Sequence, residues 1–162
     1  DRRRDSSPYF RLLARDPEVL AARTKADIDI FQTGSRDGQG LPRPERELGA
    51  AAASRVNGCV FCASVHARFS AQLSKREADI DLLLLEGTDA AVNQLDPRWS
   101  AIVAAAAALT ATPSAFSAQN VEQLRAVGLS DEAIGDLISS AGFFSWANRL
   151  MLSLGEPENP TE

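Results

Sequence analysis

The stretch of sequence that decides the fold is E47-L-G-A-A-A-A-S-R-V-N-G-C-V-F-C-A-S-V-H66. Pro44, just before it, is suited to the first position of a helix, and the small residues that follow continue that helix. Asn57-Gly58 interrupts it, because both residues tolerate the left-handed conformation in which many helices end. Helical periodicity then resumes from Cys59 to about Leu73. The stretch therefore predicts two consecutive helices joined by a tight turn.

Helical periodicity extends outward from this stretch over most of the chain, and no segment shows the alternation typical of a β-strand. Asp16-Pro17 and Asp96-Pro97 each combine a capping side chain with a proline at the first helical position, and Ser130 caps a long last helix. Ser74 with Glu77 has the spacing of a capping box. The predicted helices span residues 17–32, 44–56, 59–73, 75–86, 97–110, 120–127 and 131–154.

Together these elements predict an all-α fold, a single-domain helical bundle of about six to eight helices over residues 1–162. A chain of 162 residues suits one domain with a sizeable core. Residues 33–40 form a polar, glycine-rich loop. Residues 1–15 and 156–162 are predicted to be flexible tails, because termini that are not tied to a core are usually poorly ordered.

The composition excludes several classes of function. Hydrophobic residues make up 44% of the chain, charged residues make up 24%, and the net charge of −5 argues against nucleic acid or an anionic membrane as partner. No apolar segment reaches the roughly 20 residues that span a bilayer, and no apolar signal region follows the N-terminal arginines. Two cysteines three residues apart do not make the disulfide scaffold of a secreted protein. The sequence therefore predicts a cytoplasmic protein.

Both cysteines and the only histidine lie within eight residues, from Cys59 to His66. On a helix, Cys59, Cys62 and His66 are spaced by three and four residues and share one face. The prediction places Cys59 in the first turn and Cys62 in the second, near the amide groups and positive dipole end that favour a thiolate. His66 lies one turn beyond Cys62 and could accept its proton.

This arrangement favours a two-cysteine redox centre. Cys62, in register with His66, is the candidate for the thiolate that attacks an oxidant and becomes a sulfenic acid. Cys59, nearer the helix end, is predicted to be the more accessible thiol. It would resolve the sulfenic acid to a disulfide and then accept attack from an external dithiol.

Two other interpretations stay open. The cysteines and the histidine could simply be buried in the core, since cysteine is among the most buried residue types. Alternatively, Cys59, Cys62 and His66 offer three zinc-compatible ligands, and a carboxylate such as Glu47 could be a fourth. Zinc-binding cysteine pairs usually lie on turns, however, and the sequence has no second ligand pair. The redox interpretation, which needs no cofactor and no metal, is favoured over both.

The stretch from Glu47 to His66 resembles the core motif of the alkylhydroperoxidase AhpD-like, or carboxymuconolactone decarboxylase-like, superfamily. In the redox branch of that family a glutamate precedes the first cysteine by twelve residues, and Cys-x-x-Cys is followed by a histidine four residues on. The residues that match these positions are Glu47, Cys59, Cys62 and His66. The twelve-residue spacing selects Glu47 over Glu45. Two flanking segments resemble the family more weakly, 129–138 and 146–155.

The resemblance implies a helical bundle of the AhpD-like type that assembles as a homo-oligomer. It also implies a thiol-dependent hydroperoxide reductase in which Cys62 is peroxidatic, Cys59 is resolving, and Glu47 with His66 forms a proton relay. The implied partners are a hydroperoxide substrate and a dithiol reductant, which is a lipoylated protein in the best-known members. Glu47 is then expected to contact His66 and raise the basicity of the imidazole.

Phe61 departs from the family pattern, since the best-studied members carry a second histidine immediately before the peroxidatic cysteine. The relay is therefore one group shorter, although Tyr or Phe at this position is typical of the peroxidase-related branch. An alternative function follows, namely a dithiol–disulfide sensor or oxidoreductase module with little peroxidase turnover. Carboxymuconolactone decarboxylation is not favoured, because the decarboxylase branch generally lacks the Cys-x-x-Cys pair.

Overall fold

The computed structural model describes residues 7–32, 38 and 40–155 of the chain. Every regular element among these residues is an α-helix, which confirms the predicted all-α bundle. In chain order the helices are α1 (Pro8–Leu13), α2 (Pro17–Phe31), α3 (Arg43–Asn57), α4 (Val60–Ser74), α5 (Glu77–Glu86), α6 (Thr88–Gln94), α7 (Pro97–Thr110), α8 (Ala118–Ala126) and α9 (Asp131–Leu154). Within this part of the chain, no helix has both the length and the apolar content to cross a membrane.

The helix starts follow from capping side chains. Asp16 accepts a hydrogen bond from the backbone N–H of Val19 at 3.2 Å, and Ser130 accepts one from Ala133 at 3.1 Å. Asp96 accepts from the backbone N–H of Arg98 at 3.0 Å, and proline follows it as predicted. Each cap satisfies an amide that the first helical turn leaves without a partner. The three predicted caps are confirmed.

Two helices were not predicted, and they raise the number among the described residues to nine. α6 follows α5 directly, because Gly87 turns the chain at a positive φ of 93°. Residues 8–13, assigned from sequence to a flexible tail, instead form α1, whose Tyr9 is only 1% exposed. Burial of that ring ties the segment to the folded core, whereas a flexible tail has no such contact. The tail 156–162 lies outside the described residues.

The predicted capping box at Ser74 is wrong. Ser74 is the last residue of α4, and α5 begins only at Glu77. Between them Lys75 takes the left-handed conformation at φ 63°, which ends α4 and turns the chain. The Ser74 hydroxyl accepts a hydrogen bond from the backbone N–H of Arg76 at 3.2 Å instead of capping α5.

α3 is the central helix, and it packs mainly against α4, α9 and α7. All its residues from 48 to 54 are buried. A helix surrounded by others needs small side chains where its neighbours approach closely. Gly49 is the tightest point, since a Cβ atom there would lie 2.6 Å from Leu137 Cδ1 of α9. The alanine-rich sequence of α3 therefore sets the spacing of the bundle.

Two separate hydrophobic clusters lie on different sides of α3. The larger one, called the main core here, is built mostly from Leu, Ile, Val and Ala and includes Leu48, Leu83, Ile102, Leu124 and Leu137. The smaller one, called the thiol cluster here, contains Tyr9, Phe31, Ala50, Cys59, Cys62, Phe144, Ala147 and Met151. Helices α1, α2 and α9 cover the thiol cluster. The fold thus encloses both cysteines away from its main core.

Candidate dithiol site

Cys59 occupies the junction between α3 and α4. Gly58 has a left-handed φ of 73°, and its N–H donates to the carbonyl of Arg55 at 3.2 Å. The N–H of Cys59 donates to the carbonyl of Ser54 at 3.0 Å, which completes a Schellman motif at the end of α3. The carbonyl of Cys59 then accepts from Ala63 at 3.0 Å and starts α4. Both backbone polar groups of Cys59 are therefore fixed by helix ends.

Both cysteines lie one residue nearer the start of α4 than predicted. Cys59 is the N-cap residue, so Cys62 lies in the first turn and not in the second. The first-turn amides and the positive dipole end therefore act on both sulfur positions. The prediction that Cys59 is the more accessible thiol is wrong, because Cys59 is 0% and Cys62 is 4% exposed. The Schellman turn directs Cys59 into the thiol cluster.

Glu47 and His66 form a buried hydrogen bond between α3 and α4. His66 Nδ1 lies 2.6 Å from Glu47 Oε2, and the side chains are only 9% and 2% exposed. An ionised Glu47 can only accept, which would place the proton of this bond on Nδ1. In the neutral imidazole the other nitrogen, Nε2, is then the proton acceptor. The predicted contact between Glu47 and His66 is confirmed.

The side-chain partners of Glu45 and Glu47 explain why Glu47, and not Glu45, contacts His66. Glu45 is engaged on the opposite side of α3 by Arg98, whose Nε and Nη2 donate to its two oxygens at 2.7 and 2.8 Å. Arg43 Nε donates to the second oxygen of Glu47 at 3.2 Å. Glu47 thus has one oxygen for Arg43 and one for His66. The twelve-residue spacing selected the correct acid.

Aromatic rings enclose the imidazole of His66. The Phe144 ring centroid lies 3.8 Å away at an interplanar angle of 66°, and that of Phe31 lies 5.2 Å away at 34°. These rings come from α9 and α2, and they exclude water from the bond between Glu47 and His66. A buried hydrogen bond to a charged group is stronger in such a low-dielectric setting. The enclosure therefore restricts the orientation of the imidazole.

Cys62 has a soft, apolar environment. Its Sγ lies 3.6 Å from Sδ of Met151, on α9. Burial among apolar groups opposes the charge of a thiolate, whereas the helix start favours it. His66 lies one turn further along α4, on the same face of the helix as Cys62. Cys59 and Cys62 are both present as thiols.

Several residues that support the site were not identified from the sequence. Asn148, which is 0% exposed, accepts from Asn57 at 3.1 Å and donates to Ser54 Oγ at 3.0 Å, and so ties α9 to the turn before Cys59. A polar residue on the apolar face of α9 is the signal that could have revealed it. Arg43, four residues before Glu47, has the spacing of a helical ion pair, which was also a usable signal.

The zinc interpretation can be compared with the side-chain positions. Across residues 7–32, 38 and 40–155, no three or more His, Cys, Asp or Glu side chains are grouped so that they could hold a metal ion. Nδ1 of His66 is bonded to Glu47 at 2.6 Å. Of the four predicted site residues, Glu47 and His66 are joined by a hydrogen bond, and Cys59 and Cys62 both belong to the thiol cluster.

Comparison with known proteins shows what this chain is similar to. The model of the carboxymuconolactone decarboxylase family matches residues 17–94, which include α2 to α6 and all four predicted site residues. None of the curated proteins matches the sequence. Among solved structures, an uncharacterized peroxidase-related protein from Silicibacter sp. TM1040 is 28% identical with a TM-score of 0.75. The match covers 90% of this chain and 72% of that one.

Two further structures share the fold at lower identity. An alkylhydroperoxidase AhpD core protein from Ralstonia eutropha JMP134, an uncharacterized peroxidase-related protein, is 24% identical with a TM-score of 0.76, over 95% of this chain and 77% of that one. The debrominase Bmp8 is 17% identical with a TM-score of 0.70, over 91% and 74% of the two chains. The family model over residues 17–94, these shared folds and the motif around the two thiols together support the AhpD-like, or carboxymuconolactone decarboxylase-like, superfamily.

Proposed function

We propose that this protein is a thiol-dependent hydroperoxide reductase in which Cys62 is peroxidatic and Cys59 is resolving. The observation that carries the proposal is the buried 2.6 Å bond between Glu47 Oε2 and His66 Nδ1, beside two thiols at a helix start. Acid, imidazole and thiol in this order are the parts that activate a nucleophilic cysteine. Similarity to the carboxymuconolactone decarboxylase family and to a peroxidase-related protein supports the same reaction class.

The first step oxidises Cys62. His66 Nε2 accepts the thiol proton while Glu47 stabilises the imidazolium through Nδ1. The thiolate attacks one peroxide oxygen, so that an S–O bond forms and the O–O bond breaks. Two electrons pass from sulfur to the peroxide, and the leaving alkoxide takes up the proton that His66 removed. The products are a sulfenic acid on Cys62 and an alcohol.

The second step forms a disulfide, and the third restores the thiols. Cys59, one helical turn before Cys62, attacks the sulfenic sulfur, and water leaves. An external dithiol then reduces the disulfide and is itself oxidised. Because Cys59 is 0% exposed, a slender dithiol arm such as a lipoyl group would meet fewer obstacles than a thiol fixed in a folded protein. A lipoylated protein is therefore the proposed reductant.

Two wider properties belong to the same proposal. We propose a homo-oligomer, as the family resemblance implies, and the exposed apolar side chains of α9 support it, with Trp146 41% and Leu152 46% exposed. The proposed compartment is the cytoplasm, where dithiol reductants keep cysteines reduced.

A thiol titration over time tests the reaction. Fully reduced protein is mixed with an organic hydroperoxide, and the parent should lose both thiols rapidly. His66→Ala should slow this loss, and Cys62→Ser should abolish the fast phase. Cys59→Ser should accumulate a sulfenic acid that a trapping reagent labels at Cys62. Slow loss of both thiols that is indifferent to His66 would contradict the proposal.

The alternative is a dithiol sensor that oxidises once and turns over slowly. Burial of both thiols favours it, as does Phe61, which is half-buried and packs against the thiol cluster in the place of a second histidine. Excess dithiol separates the two functions. A peroxidase consumes hydroperoxide continuously under these conditions, whereas a sensor consumes about one equivalent per protein.

A further inference from the structure

Two buried hydrogen-bond donors at the thiol cluster, Tyr9 Oη and Arg23 Nε, have no partner with full hydrogen-bond geometry. Among the described residues, the buried side-chain nitrogen and oxygen atoms in this state are Ser7 Oγ, Tyr9 Oη, Arg23 Nε and Arg46 Nε. Tyr9 and Arg23 are 1% and 8% exposed. Burying a donor without a partner destabilises a fold, and phenylalanine at position 9 would avoid the problem. The two donors therefore need another explanation.

Tyr9 lies close to the reactive sulfur. Its ring belongs to the thiol cluster together with Cys62 and Met151. Burial raises the pKa of Tyr9, the adjacent Arg23 guanidinium lowers it through its charge and as a hydrogen-bond donor, and the negative charge of a Cys62 thiolate raises it again, with a net increase. The hydroxyl therefore keeps its proton at physiological pH and can act only as a neutral donor or acceptor. It can therefore donate a hydrogen bond to a negative charge that forms near Cys62.

Arg23 is held beside Tyr9 with one donor left over. Its Nη1 donates to Asp27 Oδ2 at 3.0 Å, and its guanidinium lies over the rings of Phe10 and Phe143 at 5.3 and 5.4 Å. These contacts fix the side chain, whereas Nε has no hydrogen-bond partner. A fixed cation with an unused donor in an apolar enclosure is an arrangement that stabilises an oxyanion.

We propose that Tyr9 Oη and Arg23 Nε bind the leaving oxygen of an organic hydroperoxide at Cys62. This inference rests on the proposed reductase function. As Cys62 sulfur bonds to one peroxide oxygen and the O–O bond breaks, the other oxygen becomes an alkoxide that accepts hydrogen bonds from the two donors. The alkoxide then takes the proton that His66 removed from Cys62, and Tyr9 and Arg23 end the step unchanged. The aromatic walls of the cluster suit an apolar organic group on the substrate.

Tyr9→Phe tests the inference, because it removes the hydroxyl and keeps the ring. The rate of Cys62 oxidation by cumene hydroperoxide should fall about tenfold to a hundredfold, as for loss of an oxyanion donor. The melting temperature should stay equal or rise, since an unsatisfied hydroxyl is removed. Alkylation of Cys62 by iodoacetamide, which has no leaving alkoxide, should be unchanged. Ser7→Ala is the matched control, since it removes a similarly buried hydroxyl outside the thiol cluster and should change none of the rates.

A series of hydroperoxides whose leaving alcohols differ in pKa distinguishes a role of Tyr9 in the reaction from a purely structural role. If Tyr9 stabilises the alkoxide, Tyr9→Phe should steepen the dependence of rate on the pKa of the leaving alcohol, and Arg23→Lys should do the same. If the parent and Tyr9→Phe react equally fast with hydroperoxide, this inference is wrong and the reductase function still stands. A parent whose thiols react with iodoacetamide but not with hydroperoxide overturns the reductase function and this inference together.

Discussion

The main core and the thiol cluster lie on different sides of α3 and are built on different principles. In the main core, Leu48 and Leu83 are 0% exposed, and apolar side chains fill the space. The thiol cluster combines aromatic rings, two thiols and the sulfur of Met151, and it adjoins His66. The difference shows that one side of the central helix packs aliphatic side chains of the bundle, while another side carries both thiols among aromatic rings.

The polar groups around the two clusters differ only in part, since Arg46 Nε is buried without a hydrogen bond as well as Tyr9 Oη and Arg23 Nε. Next to the main core, Ser140 Oγ donates to the carbonyl of Arg46 at 2.6 Å, and Thr110 Oγ1 donates to the carbonyl of Ala106 at 2.8 Å. On the side of the thiol cluster, Tyr9 Oη is buried without a hydrogen bond. Natural proteins tolerate such unsatisfied groups mainly where function requires them.

The largest expected effect distinguishes the two acids of α3. Glu47→Gln should slow oxidation of Cys62 about a hundredfold, because a glutamine amide can donate to His66 Nδ1 and fix the tautomer that cannot accept the thiol proton at Nε2. Glu45→Gln is the matched control, since it weakens only the pair with Arg98 and lies two residues away. Stopped-flow measurement of thiol loss compares the variants. Equal rates for both variants would show that the relay does not act on Cys62.

A second prediction addresses the main core. Leu83→Ala should lower the free energy of unfolding by about 2–5 kcal/mol, because Leu83 is 0% exposed and its truncation leaves a cavity. Leu85→Ala, on the same helix, should change it by less than about 0.5 kcal/mol, because Leu85 is 77% exposed. Urea unfolding measures both. Thiol oxidation by hydroperoxide at 25 °C should match the parent in both variants, and a changed rate for Leu83→Ala would show that the clusters are coupled.

The smallest expected effect is a pH dependence at the start of α7. Burial alone would raise the pKa of Asp96, but hydrogen bonds from Arg76 and from the backbone N–H of Trp99 outweigh it and lower that pKa below its ordinary value of 3.8. A carboxyl with a depressed folded pKa stabilises the fold above its unfolded pKa and loses this contribution as the pH falls through the folded pKa. The ionised Asp96 therefore stabilises the fold at neutral pH and stops doing so in acid.

Asp96→Asn isolates that charge, since asparagine is also a good N-cap. The variant should be less stable than the parent at pH 7 by under about 1 kcal/mol, because the pair with Arg76 is partly exposed to solvent. The difference should shrink as the pH falls from the ordinary pKa of Asp96 through its lowered folded pKa. Thermal unfolding followed at a series of pH values measures it. A difference that persists unchanged in acid would mean that the side-chain shape of Asp96, and not its charge, stabilises α7.

Most helices could be predicted from local signals, and the exceptions have physical reasons. Asp16, Asp96 and Ser130 cap helices through contacts within three residues, so their effect is readable in sequence. Helix α1 is short, and it is held by burial of Tyr9 against distant segments of the chain. The boundary between α4 and α5 depends on the left-handed Lys75, which no residue preference indicates.

The sequence by itself determined the all-α class, the break at Gly58, and the spacing that singles out Glu47, Cys59, Cys62 and His66. These depend on helical periodicity and on interactions between near neighbours. Only the tertiary structure decided that Cys59 is as buried as Cys62, and that Tyr9 and Arg23 lie beside the thiols. Those features arise where α1, α2 and α9 close over the start of α4. Contacts between segments so far apart in the chain follow from packing, which no local pattern encodes.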